Sequence, residues 1–396
     1  MKKKLLKMCV SMSVILSMMF SLTACGGTSA SGEVSQESSS SEAKDTSGSS
    51  TGDTIYIGTA FPMSGNIASE GQKIVNGIQL AVDQVNAEGG INGRMVALKS
   101  EDDESDSTTA ASVANKFGDD ESVYGTIMSY NSPCALAGVP ILEEAGLVNV
   151  SPAAESDNLT GISDWFFRTC SYNSYCGIVC AQLIQNLNIS KVAILYQNDD
   201  YGQGLKDAFI SECNNLGIEI VTEQSYVMSE TVDFSTQLTA ISNTDAEGIF
   251  ISGVCAEAGM ICAQRNSYNC GDLVMVGGTS TCADEILEYE GVEGFYAVSG
   301  FSLQNTDSKV QDYISQYKEK YNVDPSSWSA YAYDAAMVMM EAMKKCGDNL
   351  TRETLKDAIA QVEYVGVTGK TKFEKCNTEK DNIWMQVKDG KWQIYE

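Results

Sequence analysis

Short apolar runs with strand character alternate with amphipathic helical runs along almost the whole chain from Thr54 onward. The first helical run, Gly71–Asn86, repeats its apolar residues at the 3.6-residue period of a helix, and Gly89 and Gly90 supply the left-handed turn that ends it. Strict alternation predicts parallel sheets covered by helices on both faces, and two such series, which begin near Thr54 and Tyr172, fit two α/β lobes. The predicted strands are 55–58, 96–100, 123–127, 147–150, 192–196, 218–221, 248–251 and 273–276, and the predicted helices are 71–86, 107–117, 133–144, 172–187, 202–216 and 256–268.

The end of the chain has a different pattern. Two short apolar runs, Ile383–Val387 and Trp392–Ile394, flank the dipeptide Asp389-Gly390. Asp-Gly between two strands is a strong turn signal, because both residues tolerate a positive φ. We therefore expect a β-hairpin here.

The first 24 residues have the layout of an export signal. A basic stretch, Met1–Lys7, precedes the apolar run Met8–Phe20, which is shorter than the ~20 residues a spanning helix needs. The following Leu22-Thr23-Ala24-Cys25 resembles the bacterial lipobox. That resemblance implies cleavage before Cys25, diacylglycerol on its sulfur and attachment to the outer face of the cell membrane. The alternative is an ordinary signal peptide followed by a chance cysteine.

The segment that follows Cys25 is poor in apolar residues. Eighteen of the 28 residues of Gly26–Asp53 are Gly, Ser or Thr. Such a segment cannot bury enough surface to fold, so residues 25–53 are predicted to form a lipidated cysteine with a disordered tether. As a random coil its ends would lie roughly 30 Å apart.

Composition excludes several classes of function. Without the four leader lysines, 22 basic residues stand against 53 acidic ones, a net charge of −31 that repels nucleic acid. The chain contains no histidine, which removes Ser-His-Asp and Cys-His catalysis and the commonest metal ligand. No phosphate-binding glycine loop or nucleophile-elbow motif is present. We therefore expect no enzyme activity, no cofactor and no metal.

Five phrases of sequence, taken in order, resemble one family. The chain resembles the periplasmic leucine/isoleucine/valine-binding proteins of ABC importers, which are type I periplasmic binding proteins. The phrases are Ile57-Gly58 with Pro62-Met63-Ser64-Gly65, then Asn86–Arg94, then Asp102–Asp106, then Tyr201-Gly202-Gln203-Gly204, and finally Ala330–Ala335.

The resemblance implies a fold and a function. The fold would be two Rossmann-like lobes joined by a three-segment hinge, a Venus flytrap, with lobe one at 54–170 plus 281–361 and lobe two at 171–280 plus 362–396. The chain would be a monomer that captures a small amino acid or related amine outside the cytoplasm and delivers it to ABC permease subunits. The alternative is a ligand-binding partner of a separate membrane sensor, and a more distant one is an enzyme.

The resemblance also implies lobe-one contacts with the ligand. Ser132 would bind the ligand carboxylate, and the backbone of Ala153 and Ala154 would contact the ligand. Ser132 could instead serve only as a helix N-cap. Glu155 stands where the family has a threonine that holds the ammonium group, and its alternative is an exposed loop glutamate. Glu70 replaces an aromatic residue beside the side-chain pocket, which favours a polar or cationic ligand.

Lobe two would contribute an aromatic wall and a carboxylate. Tyr201 matches a tyrosine that closes over the ligand, and Glu257 matches the glutamate that pairs with the α-ammonium group. Glu257 could instead be a solvated residue of a first helical turn. Thr281, together with Thr279 and Ser280, would also face the cleft.

The cysteines are not expected to form a disulfide framework. Apart from Cys9 and Cys25, eleven remain, an odd number that leaves at least one free thiol in an exported chain. We expect mostly free thiols, because a domain of this size does not need disulfides. Cys176 and Cys180 lack the further ligands of a zinc site.

Overall fold

A computed structural model describes residues 54–378 and 380–396, which form two α/β lobes, each built around its own sheet. The predicted export signal, Cys25 and the tether lie outside the described residues. The fold class expected from the alternating pattern is confirmed.

Lobe one contains a five-stranded sheet in the order β2-β1-β3-β4-β5, with every neighbouring pair parallel. Its elements are β1 (Ile55–Phe61), α1 (Ala68–Ala87), β2 (Val96–Asp102), α2 (Ser107–Asp119), β3 (Val123–Met128), α3 (Ser132–Glu144), β4 (Val148–Ser151) and β5 (Phe166–Arg168).

Lobe two contains a seven-stranded sheet in the order β14-β13-β10-β9-β8-β6-β7, parallel except where β13 pairs with β10 and β14. Its first elements are α4 (Asn173–Asn186), β6 (Lys191–Gln197), α5 (Asp200–Leu216), β7 (Glu219–Tyr226), α6 (Ser235–Ser242), β8 (Gly248–Ser252), α7 (Cys255–Arg265), β9 (Val274–Gly277) and β10 (Tyr296–Ser299). Then α8 (Ser308–Tyr321), α9 (Ser327–Cys346), α10 (Arg352–Ile359), β11 (Glu363–Gly366) and β12 (Gly369–Lys372) pack with lobe one, and β13 (Ile383–Lys388) and β14 (Lys391–Ile394) return to lobe two.

The chain crosses between the lobes three times, after β5, β10 and β12. Two crossings differ from the expected boundaries. Residues 282–299 belong with lobe two, because β10 pairs with β9 and β13. Residues 362–372 stay with lobe one, where Val362 and Val367 are buried in its core. These regions carry short strands whose sheet the sequence pattern does not specify.

Local capping explains where several helices begin and end. The Asp106 carboxylate accepts hydrogen bonds from the Thr108 and Thr109 amides at 2.9 and 2.8 Å and starts α2. Asp199 does the same for α5 by accepting from the Gly202 amide at 2.9 Å. The chain leaves α5 through Gly217, whose φ of 75° is the left-handed conformation that glycine adopts without strain.

The predicted hairpin is present as β13 and β14. Lys388 pairs with Lys391, so the turn is the two-residue segment Asp389-Gly390. Both turn residues have a positive φ, 55° and 67°, as a type I′ turn requires.

The described cysteines are free thiols: all eleven between Cys134 and Cys376 lack a disulfide partner. Most are buried and pack as small apolar residues. Among residues 54–378 and 380–396, no helix combines the length and apolar character that crossing a membrane requires.

Close contact between α1 and α9 gives a stability prediction. A Cβ at Gly77 would lie 2.2 Å from the Ser329 carbonyl oxygen, so Gly77→Ala must push the two helices apart. We expect it to reduce the free energy of unfolding by about 1–3 kcal/mol in urea denaturation. Gly138→Ala in α3 is the matched control, because its Cβ would meet nothing closer than 3.7 Å. The control should be neutral or stabilising, and equal behaviour of the two variants would contradict this account of the packing.

Candidate functional site

The carboxyl ends of the parallel strands in both lobes face one another. This is the edge at which doubly wound sheets bind ligands. Contacts cross between the lobes here: the Ser69 hydroxyl and the Lys73 ammonium group both donate to Glu285 Oε1 at 2.8 Å. Asn158 Nδ2 also donates to Asp200 Oδ1 at 3.1 Å.

A small cavity of about 10 Å³ lies between the lobes. It brings together three predicted site residues, Ser132 and Ala153 of lobe one and Tyr201 of lobe two. The other lining residues are Tyr130, Asn131, Pro133, Asp199, Val254 and Ser280.

Ser132 is the first residue of α3 rather than its cap. Asn131 occupies the N-cap position and makes no side-chain capping bond, so the capping role considered for Ser132 is wrong. Ser132 Oγ instead accepts a hydrogen bond from the Ser156 amide at 3.1 Å, and its hydroxyl proton remains available. Ser129 just before it has a φ of 76°, a strained conformation for a buried non-glycine residue.

Hydrogen bonds with neighbouring side chains fix the loop that contains Ala153 and Ala154. Ser151 Oγ accepts from the Ala154 amide at 3.1 Å. The buried Arg168 guanidinium donates to the carbonyls of Ala154 and Ser156 at 3.1 and 2.8 Å. Ala154 is fully buried, so its contribution is to position the loop rather than to line the cavity.

Glu155 is buried, with 1% of its surface exposed, and is not the exposed loop residue considered as an alternative. Its carboxyl group is engaged across the lobes: Thr279 Oγ1 donates to Oε2 at 2.5 Å, and Cys176 Sγ donates to Oε1 at 3.4 Å. Burial raises the pKa of Glu155 to about 7, against the opposing effects of these bonds and of Arg168. Its side chain therefore joins the lobes.

Glu257 lies in the first turn of α7 and is 1% exposed, so it is not solvated. Its Oε1 accepts from the Ser229 amide at 2.9 Å, while its buried Oε2 has no partner among the described residues. The buried Tyr226 hydroxyl likewise has none and packs against the backbone of Gly253. Burial raises the pKa of Glu257.

A larger cavity of about 330 Å³ adjoins the first, and Tyr130 and Val254 line both. Glu70 lines this larger cavity. Thr281 lines neither: it is fully buried and donates to the Gly278 carbonyl at 2.7 Å within a short 3₁₀ turn. Its neighbours Thr279 and Ser280 reach Glu155 and the small cavity.

Sequence reasoning missed four residues of the site. Tyr130 follows β3 in the same loop as Ser132, so the position of the loop could have identified it. Asp199 directly precedes the Tyr-Gly motif and caps α5. Arg168 lies on the three-residue strand β5, and Glu285 lies on a short 3₁₀ turn, and neither element has a readable periodicity.

The sequence profile of the periplasmic binding protein family matches residues 54–390. The chain belongs to that family, which confirms the resemblance drawn from the five motifs. The family consists of substrate-binding proteins, so the expectation that the chain is not an enzyme is also confirmed. An extracytoplasmic location follows from the same membership.

Individual relatives and solved structures are consistent with this family membership. The chain is 26% identical over 350 residues to the Leu/Ile/Val-binding protein homolog 1 of Brucella abortus, covering 86% of this chain and 93% of the relative. It is 30% identical, with a TM-score of 0.80, to the branched-chain amino acid transporter substrate-binding protein LivJ of Streptococcus pneumoniae in complex with isoleucine, covering 86% and 99% of the two chains. The leucine-binding protein LivK of Thermotoga maritima gives 27% identity and a TM-score of 0.81, with 86% and 98% covered.

The raised pKa of Glu155 predicts the direction of a pH effect. A carboxyl group whose pKa is higher in the folded state than its ordinary 4.5 makes the folded state bind more protons, so the free energy of unfolding falls as pH rises from about 4.5 to about 7. In the parent, this titration should lower the free energy of unfolding by roughly 2 to 3 kcal/mol between pH 5 and pH 8. Glu155→Gln removes the titrating group, so this part of the pH dependence should disappear in the variant. Urea denaturation at both pH values measures it, with the exposed Glu143→Gln as control. An unchanged pH dependence would contradict the buried titration.

Proposed function

We propose that this chain captures a free amino acid, or a closely related amine, between its two lobes and delivers it to the permease of an ABC importer. The observation that carries the proposal is that groups of both lobes, Ser132 and Ala153 opposite Tyr201, line one small cavity, which would have to widen to admit an amino acid. Amino-acid ligands in the names of the relatives support it.

Lobe one suits the carboxylate of such a ligand. Ser132 opens the 13-residue helix α3, whose N-terminus concentrates unpaired amides and the positive end of the helix dipole. An anion placed here would also receive the Ser132 hydroxyl proton. Arg168 contributes indirectly, because it fixes the carbonyls of the neighbouring loop rather than facing the cavity.

Lobe two suits the ammonium group. Glu257 lines neither cavity, but it lies in the first turn of α7, whose N-cap Val254 lines both, and one of its buried oxygens has no partner among the described residues. A buried acceptor left unpaired costs free energy. A ligand ammonium group would supply the missing donor and a compensating charge. Tyr201 would close the aromatic side of the cavity and exclude water.

Binding of one molecule by groups from both lobes links capture to closure. The ligand stabilises the closed arrangement by as much as its contacts differ between open and closed states. The closed lobes would then present one combined surface to the permease. Thr279 and Glu155 already join the lobes beside the cavity and would set the stopping point of closure.

Attachment to the membrane completes the proposal. Cys25 would carry the lipid, and residues 26–53 would tether the two lobes near the importer. A tether of this length keeps the protein at a high local concentration beside the permease.

Amino-acid capture predicts a thermal shift that depends on Glu257. A saturating amino-acid ligand should raise the melting temperature of the purified protein, because binding stabilises only the folded state. Glu257→Gln should weaken that ligand by ~2 kcal/mol, about 30-fold, since it leaves the ammonium group without its countercharge. Isothermal titration calorimetry measures the affinity.

The control for this experiment is Glu230→Gln, which makes the same charge change at an exposed position. It should bind like the parent. Parental affinity in Glu257→Gln would refute the role of Glu257, and the absence of any shift across all amino acids and small amines would refute the capture function.

The lipid anchor predicts a covalent modification. The full-length protein expressed in its host should incorporate a labelled fatty acid, and Cys25→Ser, which removes the acceptor sulfur, should not. Metabolic labelling with immunoprecipitation measures this, and Cys9→Ser is the control in the leader, which should be labelled like the parent. Labelling of the Cys25→Ser protein, or no labelling of the parent, would contradict the anchor.

A further inference from the structure

The residues that line the larger cavity indicate the chemical class of the ligand. We propose that the captured amino acid carries a cationic side chain, of the lysine, ornithine or arginine type, and that Glu70 binds this second positive charge. The inference rests on the proposed function, because it places the amino-acid backbone between Ser132 and Tyr201, where the small cavity would widen to admit it, and the side chain in the larger cavity.

The two cavities are placed for such a ligand. They share Tyr130 and Val254, so the side chain of a ligand held between Ser132 and Tyr201 would extend into the larger cavity. The volume of about 330 Å³ falls within the range of small-molecule sites. Both lobes line it, with Glu70 and Ser69 on one side and Cys255 and Glu285 on the other.

Glu70 carries the carboxyl group that a ligand cation would bind. Only 6% of its surface is exposed, and its Oε1 accepts a hydrogen bond from the Ser326 hydroxyl. Its Oε2 is buried with no partner among the described residues. A buried carboxylate oxygen in this state needs a donor, and a ligand cation provides both a donor and a countercharge.

The charges around the cavity favour a cation. Three of the described residues that line it are glutamates, Glu70, Glu285 and Glu288, and the described lining includes no lysine or arginine. Lys73 lies nearby and pairs with Glu285 Oε1 at 2.8 Å, but Glu285 Oε2 is also buried without a partner. Lys73 therefore interacts with the carboxyl groups of Glu70, Glu285 and Asp284, which outnumber it.

The ionisation of Glu70 supports the same conclusion. Burial raises its pKa to about 7 despite the opposing charge of Lys73, so the carboxyl group is only partly ionised at neutral pH. A branched aliphatic side chain would bury it further and leave its oxygen unpaired. A ligand cation would stabilise the ionised form and recover that free energy.

The test compares ligands that differ in one charge. Isothermal titration calorimetry and thermal shift are measured with L-lysine, L-ornithine and L-arginine against L-norleucine, L-leucine and L-isoleucine. Norleucine resembles lysine without the terminal ammonium group. We expect at least one cationic amino acid to bind at least about 10-fold more tightly than norleucine.

Glu70→Gln then tests the residue. It should reduce the affinity for the cationic ligand about 10-fold or more and leave norleucine unchanged or tighter. Glu88→Gln at the opposite end of α1 is the matched control, because Glu88 is exposed and about 27 Å away along the helix. If Glu70→Gln does not fold, the comparison of lysine with norleucine on the parent decides the ligand class alone.

The outcomes separate this inference from the proposed function. Binding of leucine, isoleucine or norleucine without binding of any cationic amino acid overturns the inference and leaves amino-acid capture standing. Binding of no amino acid overturns both. Equal affinity of the parent and Glu70→Gln for a cationic ligand overturns the role of Glu70.

Discussion

Desolvation of carboxyl groups in the loops and first helical turns that follow the strands is the constraint on which the arrangement of this protein depends. Glu70, Glu155 and Glu257 are each at least 94% buried in a strongly acidic chain. Removal from water disfavours their charged forms, so each carboxyl group must find donors or take up a proton. Glu155 finds its donors on the opposite lobe, whereas Glu70 and Glu257 each keep one unsatisfied oxygen. The same physical cost is therefore met by contacts between the lobes at Glu155 and is left unmet at Glu70 and Glu257.

The fold puts these groups together because parallel sheets place all their strand-to-helix loops at one edge. The loops after β3 and β4 in lobe one meet those after β6, β8 and β9 in lobe two. Three crossings keep the two edges opposed. Since the crossings follow β5, β10 and β12, each lobe is assembled from segments that are distant in sequence.

Much of the fold could be predicted from the sequence, because Gly71–Asn86 has clear helical periodicity, eight strands stand out as short apolar runs and the Asp389-Gly390 turn is unambiguous. Strands β5, β10, β11 and β12, of three or four residues each, were not predicted, and the second and third crossings, which follow β10 and β12, were misplaced. Of the predicted site residues, Ser132, Ala153 and Tyr201 line one cavity, whereas Ala154, Glu155, Glu257 and Thr281 do not. The burial of Glu155 could not be predicted, because it depends on Thr279, 124 residues further along the chain.

The free thiols have a consequence for how the protein reaches its working state. Burial raises the pKa of Cys170 and Cys180, among others, and keeps them in the unreactive thiol form. This protection exists only once the cores have formed. A newly exported, unfolded chain would expose eleven ordinary thiols to any oxidant outside the cytoplasm. During maturation, packing of the two lobes therefore competes with random disulfide pairing. Correct folding requires either that packing is fast or that the surroundings contain little oxygen.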